Sequence, residues 1–175
     1  QPRSRGLGDV YKRQIQYSGE KIEIQSNDLL KIAKVAALNA YLKLDKPVLV
    51  EDAGLFIKAL NGFPGPYSSY VFKTIGYHGI LELLRGVSDR TAYFRSAAVL
   101  IYEPFIVSIE AEVKGYIVHE PRGDKGFGFD PIFVPEGSTK TFAEMNIEEK
   151  NMFSHRARAV NSVFERLVKL LNQCS

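Results

Sequence analysis

The sequence predicts a single α/β domain, and three observations carry that prediction. Apolar residues alternate with period two in some stretches, recur at helical spacing in others, and the two kinds interleave along the chain. No composition break or internal repeat divides the 175 residues, a length that suits one domain with its own core. With 45% hydrophobic and 25% charged residues, 14 Gly and 8 Pro, the composition is globular, which excludes disordered and fibrous classes.

The elements follow in order. Lys21-Ile22-Glu23-Ile24-Gln25 alternates and predicts a short strand. Ser26-Asn27-Asp28 supplies N-cap chemistry for a helix to about Leu44, with Leu29, Ile32, Ala33, Ala36, Ala40, Tyr41 and Leu44 on one stripe. Pro47-Val48-Leu49-Val50 predicts a brief buried strand ending in a turn at Glu51-Asp52-Ala53-Gly54. Gly and Pro shape a loop over 61–67, and helical spacing returns through Tyr70-Val71-Phe72 and from Gly79 to Leu84, interrupted around Gly76. Thr91–Tyr102 and Phe105–Val118 are spaced as a hairpin turning near Glu103-Pro104. A Gly-rich loop over 122–131 leads to the strand-like Ile132-Phe133-Val134. Ser154 then caps a helix with Ala157, Val160, Phe164, Leu167, Val168 and Leu171 on its apolar stripe.

Several function classes drop out on composition. The one cysteine, Cys174, allows no internal disulfide or zinc-thiolate cluster and points to a reducing, cytoplasmic setting. The longest apolar runs fall far short of the ~20 residues that a membrane-spanning helix needs. A net charge of +3 suggests a nucleic-acid partner, but residues 1–14 hold four basic residues and one acid; without them 19 of each sign remain. The body is neutral, and nucleic acid is not an expected partner. Residues 1–14 have no apolar core segment and no cleavage site, so they do not form a secretory signal. They resemble a foreign leader, with residues 15–175 forming the domain.

Four places could carry chemistry. Glu51 and Asp52 close a buried strand before a glycine, where α/β folds place ligand-binding groups; successive strand residues point to opposite faces, so one of the two faces a given cleft. The carboxylate there either binds Mg²⁺ and activates water or caps the turn. Glu23 is a second acid that could converge on the same hard cation, or simply face solvent. Gly126-Phe127-Gly128-Phe129 brackets two aromatics with residues that permit close backbone approach; one ring is expected in the core and one on a cleft wall. Lys150 and Ser154-His155-Arg156 gather donor-rich side chains around a helix start, which itself favours anions.

Taken together, these segments resemble the inosine triphosphate pyrophosphatase family. The matching text is Val48-Leu49-Val50-Glu51-Asp52-Ala53-Gly54-Leu55, Gly62-Phe63-Pro64-Gly65-Pro66-Tyr67-Ser68, Phe127-Gly128-Phe129-Asp130-Pro131, Thr141-Phe142-Ala143-Glu144-Met145, and Glu149-Lys150 through Ser154-His155-Arg156. The resemblance implies a mixed, elongated β-sheet flanked by helices, two lobes with a central cleft, and a homodimer. It implies Mg²⁺-dependent hydrolysis of ITP, dITP and XTP to a nucleoside monophosphate and pyrophosphate. Carried over by position, Asp52 is the catalytic, metal-linked carboxylate and Glu23 its partner on Mg²⁺. Phe127, Phe129 and Asp130 hold the base, while Lys150, His155 and Arg156 read its edge and contact phosphate. Donor-only side chains suit the carbonyls of hypoxanthine and xanthine, and adenine's amine leaves them unpaired.

Two departures accompany the resemblance. The family opens with a strand and a glycine turn bearing Thr/Ser, Asn and Lys that grip the triphosphate, and nothing of that kind precedes Ile15. A family lysine on the first helix aligns with Ala36 to Leu38, the nearest basic residues being Lys31 and Lys34. Both predict weak activity for the chain as given. The rival readings are a Maf-type pyrophosphatase acting on pyrimidine or modified nucleotides, and a non-catalytic nucleotide-binding module.

Overall fold

The structure, a computed structural model, describes Gly19 and residues 21–173; the expected leader, 1–14, and Cys174 lie outside the described residues. Residues 21–26 run as irregular chain, so the alternation at Lys21–Gln25 does not make a strand. Alternation alone leaves a segment undecided until a neighbouring strand accepts its hydrogen bonds.

Helix α1 spans Leu29–Leu44. Asp28 caps it, its carboxylate accepting from Lys31 N–H at 3.1 Å, and Asp45 ends it in the left-handed conformation at φ 49°. Its buried face is Leu29, Ile32, Ala33, Ala36 and Ala37, leaving Lys31 and Lys34 exposed. Strand β1 spans Val48–Ile57, so Glu51-Asp52-Ala53-Gly54 lies in mid-strand and not at a turn. The glycine serves close approach instead: a Cβ at Gly54 would stand 2.2 Å from the Gly65 carbonyl oxygen.

Short strand β2 (Pro64–Gly65) is followed by α2 (Ser68–Thr74) and α3 (Gly76–Leu83), separated as the glycine predicts. Strands β3 (Thr91–Tyr102) and β4 (Phe105–Ile117) form the expected hairpin. A single helical turn at Asp130–Ile132 precedes β5 (Phe133–Pro135). Helix α4 (Ile147–Phe153) carries a capping box from Asn146 and Glu149, and α5 (His155–Gln173) closes the chain.

The sheet order is β2-β1-β3-β4-β5, and every pairing among the described residues is antiparallel. Side chains of β1 alternate between two cores. Val48 and Phe56 join Ala97, Val99 and Ile101 under α1, while Leu49 packs with Ala98, Leu100 and α5 residues Ala159, Val163, Phe164 and Leu167. A third cluster, including Leu55, Ile57, Ile117, Phe133 and Phe142, fills the other end of the α5 side. The α5 stripe is therefore turned from the expected one: Ala159 and Val163 are buried, Ala157 and Val168 are not. Among the described residues no helix is long and apolar enough to cross a membrane.

Candidate active site

Because β1 is extended through residues 51 and 52, its two acids leave on opposite faces. Asp52, in register with Ala97, points to the α1 side; Glu51, in register with Ala98, points to the α5 side. Neighbouring carboxylates thus serve two different surroundings.

On the α1 side Asp52 meets the 21–23 segment. Lys21 Nζ lies 2.9 Å from Glu23 Oε1 and 3.6 Å from Asp52 Oδ2, so the two expected metal-linked acids already converge on one positive charge. Ala53 N–H donates to Asp52 Oδ1 at 3.1 Å, leaving Oδ2 toward the cation. Burial pushes the Asp52 carboxyl above the usual carboxylate range; the Lys21 ammonium opposes the shift and the Glu23 charge adds to it. Glu23 itself is 61% exposed. Two carboxylates with an open approach fit a hard, partly hydrated cation that completes its shell with water and phosphate oxygens. Among the described residues no group of three His, Cys, Asp or Glu side chains forms a protein-only cage.

On the α5 side the Gly-rich loop folds back on Asp130, which is buried. Its carboxylate accepts from Phe127 N–H at 2.8 Å and from Lys150 Nζ at 2.5 Å. Gly126 is required there: its φ is +77°, and a Cβ would lie 2.1 Å from Asp130 Oδ2. The two rings divide as expected. Phe127 is 65% exposed, with Lys150 Nζ 5.0 Å and Arg156 Cζ 5.4 Å from its centroid. Phe129 is 3% exposed and packs edge-on against Phe72 at 5.5 Å. Of the pair expected to hold a base, only Phe127 offers a free face. Asp130 likewise acts on the loop and Lys150 through bonds that occupy its carboxylate.

Ser154 opens α5 by accepting from Ala157 N–H at 3.1 Å, which places His155 and Arg156 in the first turn. His155 is 7% exposed and stacks on Phe94, centroids 5.0 Å apart and planes 8° apart. Burial, followed by the charges of Arg156, Lys150 and Arg158, lowers its pKa to about 3, so the ring is neutral. Its Nδ1 is buried without a hydrogen-bond partner among the described residues. Arg156 donates from Nε to Glu51 Oε1 and Oε2 at 3.1 and 3.0 Å, and from Nη2 to Oε2 at 2.6 Å. Burial opposes the guanidinium charge, but the Glu51 bonds outweigh it and raise the pKa. Ser96 Oγ donates to Glu51 Oε1 from within the sheet.

Phe127, Asp130, Lys150, His155 and Arg156 are therefore assembled in one place, with Asp52 and Glu23 across β1. The Asp52 charge adds a smaller support to the Arg156 guanidinium after that of Glu51, from the opposite face of β1. Sequence reasoning named Glu51 beside Asp52 as a candidate carboxylate but carried only Asp52 into the site, and it assigned no role to Ser96, Lys21 or Phe94. Strand alternation was the available signal for Glu51, since it predicts the face opposite Asp52. Ser96 and Phe94 lie far along the chain and carry no local mark.

The profile of the Ham1 family matches residues 7–166. This chain belongs to the Ham1 family. A dITP/XTP pyrophosphatase of Hyperthermus butylicus is 56% identical over 146 residues, covering 83% of this chain and 77% of the relative. The dITP/XTP pyrophosphatase of Saccharolobus solfataricus is 56% identical over 141 residues, 81% and 73% of the two chains. Among solved structures, the Ham1 protein of Staphylococcus aureus superposes with a TM-score of 0.79 at 29% identity, covering 87% of this chain and 82% of its own. The Ham1 protein of Coxiella burnetii gives 0.76 at 33% identity, covering 88% and 81%.

Proposed function

We propose that this chain hydrolyses noncanonical purine nucleoside triphosphates (ITP, dITP and XTP) to the monophosphate and pyrophosphate. The observation that carries this reading is the aromatic face of Phe127 beneath two donor-only side chains, Lys150 and Arg156, one strand away from Asp52. The names of the Ham1 relatives support the same substrate class.

In this reading a purine stacks on Phe127, and Lys150 and Arg156 donate to its carbonyl oxygens. Adenine presents an amine where those donors need an acceptor, which leaves donor against donor and disfavours ATP. The phosphates extend toward Asp52 and Glu23, round the part of β1 (Val48–Gly54) that pairs with β3 alone among the described residues. Water adds to phosphorus at the α–β linkage, the bridging P–O bond there breaks and pyrophosphate leaves, while the Asp52 carboxylate takes the water's proton and Ala53 N–H keeps Oδ1 fixed. Mg²⁺ bound to Asp52 and Glu23 would supply charge neutralisation on the phosphate oxygens and a lowered pKa for water. Lys21 already marks where positive charge is stable there. The resemblance supports a homodimer, and the single cysteine supports a cytoplasmic setting.

Pyrophosphate release from ITP, dITP, XTP, ATP, dTTP and UTP in the presence of Mg²⁺ tests the reading. Oxo-purine substrates are expected to lead, and Asp52→Asn is expected to lower kcat by about 10²–10⁴-fold, the usual contribution of a positioned base. Preference for dTTP or UTP would move the chain to the Maf-type reading. ITP binding without turnover would make it a nucleotide-binding module.

A further inference from the structure

The site that faces α5 contains two cations, and each is matched by a carboxylate, buried at Asp130 and half-buried at Glu51. Lys150 is held at 2.5 Å by Asp130, and Arg156 is held by Glu51 through three contacts of 2.6–3.1 Å. His155, stacked on Phe94, contributes no charge. The two ion pairs beside Phe127 are therefore each formally neutral although they are rich in donors. An anionic triphosphate gains little from such a surface, whereas an uncharged base with carbonyl acceptors loses little on entering it.

The Glu51 pair also has a direction. Its bonds use Nε and one side of Nη2, leaving the Nη1 edge outside the pair. A guanidinium is planar, so anchoring one edge fixes where the other donates. Glu51 is held in turn by the Ser96 hydroxyl, from a residue buried within β3. The chain of contacts runs from sheet interior to Glu51, to Arg156, to the face of Phe127.

We propose that Glu51 is a specificity-determining positioning residue: it orients Arg156 toward a base carbonyl and cancels its charge, so the pocket selects oxo-purines by hydrogen bonding and not phosphate by attraction. The inference rests on the functional reading above. It gives Glu51 and its neighbour Asp52 separate tasks on opposite faces of one strand.

Three variants and three ligands test it. Equilibrium binding of ITP and ATP, together with kcat/KM for both, measures base selection; binding of tripolyphosphate without Mg²⁺, which has neither a base nor a metal to lead it to Asp52 and Glu23, measures the charge beside Phe127. Glu51→Gln is expected to reduce the ITP-over-ATP preference by about tenfold, as lost hydrogen-bond selection does. It is also expected to tighten tripolyphosphate binding severalfold and make it salt-sensitive. Glu51→Asp keeps the charge but shortens the reach, so preference falls while tripolyphosphate binding stays at the wild-type value. Glu112→Gln, which breaks the Arg95–Glu112 pair elsewhere on the sheet, should move neither readout. Should Glu51→Gln fail to fold, the Asp variant decides on base preference alone. Wild-type protein that prefers ITP, with both Glu51 variants retaining the full preference, overturns the role of Glu51 and spares the functional reading. Wild-type protein that binds and turns over ATP as well as ITP overturns both.

Discussion

Phe127 and Phe129 stand two positions apart in one glycine-rich loop, and their environments assign them different work. Phe127 presents an open face beneath Lys150 and Arg156; Phe129 lies in the core beside Phe72. Phe127→Ala is expected to keep the melting temperature and raise KM for ITP roughly ten- to a hundredfold, since a base–aromatic stack is worth about 1–3 kcal/mol. Phe129→Ala is expected to cost about 3–5 kcal/mol of stability, as other buried Phe truncations do. Thermal melts and ITP kinetics on the two proteins separate the roles. The sequence carried this split in outline, since two aromatics in a glycine-bracketed loop were expected to divide between core and cleft. Which ring turns outward depends on Phe72, a residue of a different element, so the local text could not name it.

At the scale of the element, β1 departs most from expectation. Its apolar start reads as a four-residue strand because Glu51-Asp52-Ala53-Gly54 resembles a turn in composition. In the fold β3 pairs with every residue from Val48 to Ile57, and the acids become strand residues with two faces. Gly54 has ordinary backbone angles but sits under β2. Gly54→Ala is accordingly expected to destabilise by about 1–3 kcal/mol through overpacking, measured by chemical denaturation. The opposite outcome, neutral or stabilising, would mean that β2 yields easily at Gly65. The first strand-like stretch, Lys21–Gln25, fails for the complementary reason: it alternates correctly but pairs with no described strand, and contributes Lys21 and Glu23 from irregular chain.

For the whole molecule, α5 couples stability to the site. Its buried face holds it on β3 and β4, and its first turn delivers His155 and Arg156. His155 is neutral in the fold because burial and neighbouring cations lower its pKa to about 3, below its ordinary 6.5. The unfolded chain therefore binds a proton near pH 6.5 that the folded chain refuses until about pH 3. The stability from this residue is complete above about pH 6.5 and is lost as pH falls toward 3. Denaturation midpoints between pH 7 and pH 4 should fall more steeply for the wild type than for His155→Gln. Equal slopes would mean that the imidazole is accessible to protons in the folded state.

By itself the sequence determined the elements that rest on local chemistry: the Asp28 cap of α1, the hairpin about Glu103-Pro104, the break at Gly76 and the Ser154 start of α5. It also supplied the candidates for the site, since Asp52, Phe127, Lys150, His155 and Arg156 stand in its motifs. Tertiary structure decided what each of them faces. Strand pairing turned the expected turn into the middle of β1 and gave the two faces of Glu51 and Asp52 their surroundings. Packing buried Phe129 and His155, and contacts across 105 positions of sequence gave Arg156 its carboxylate. Propensity and capping act within a few residues, whereas burial and charge pairing depend on segments that only the folded chain brings together.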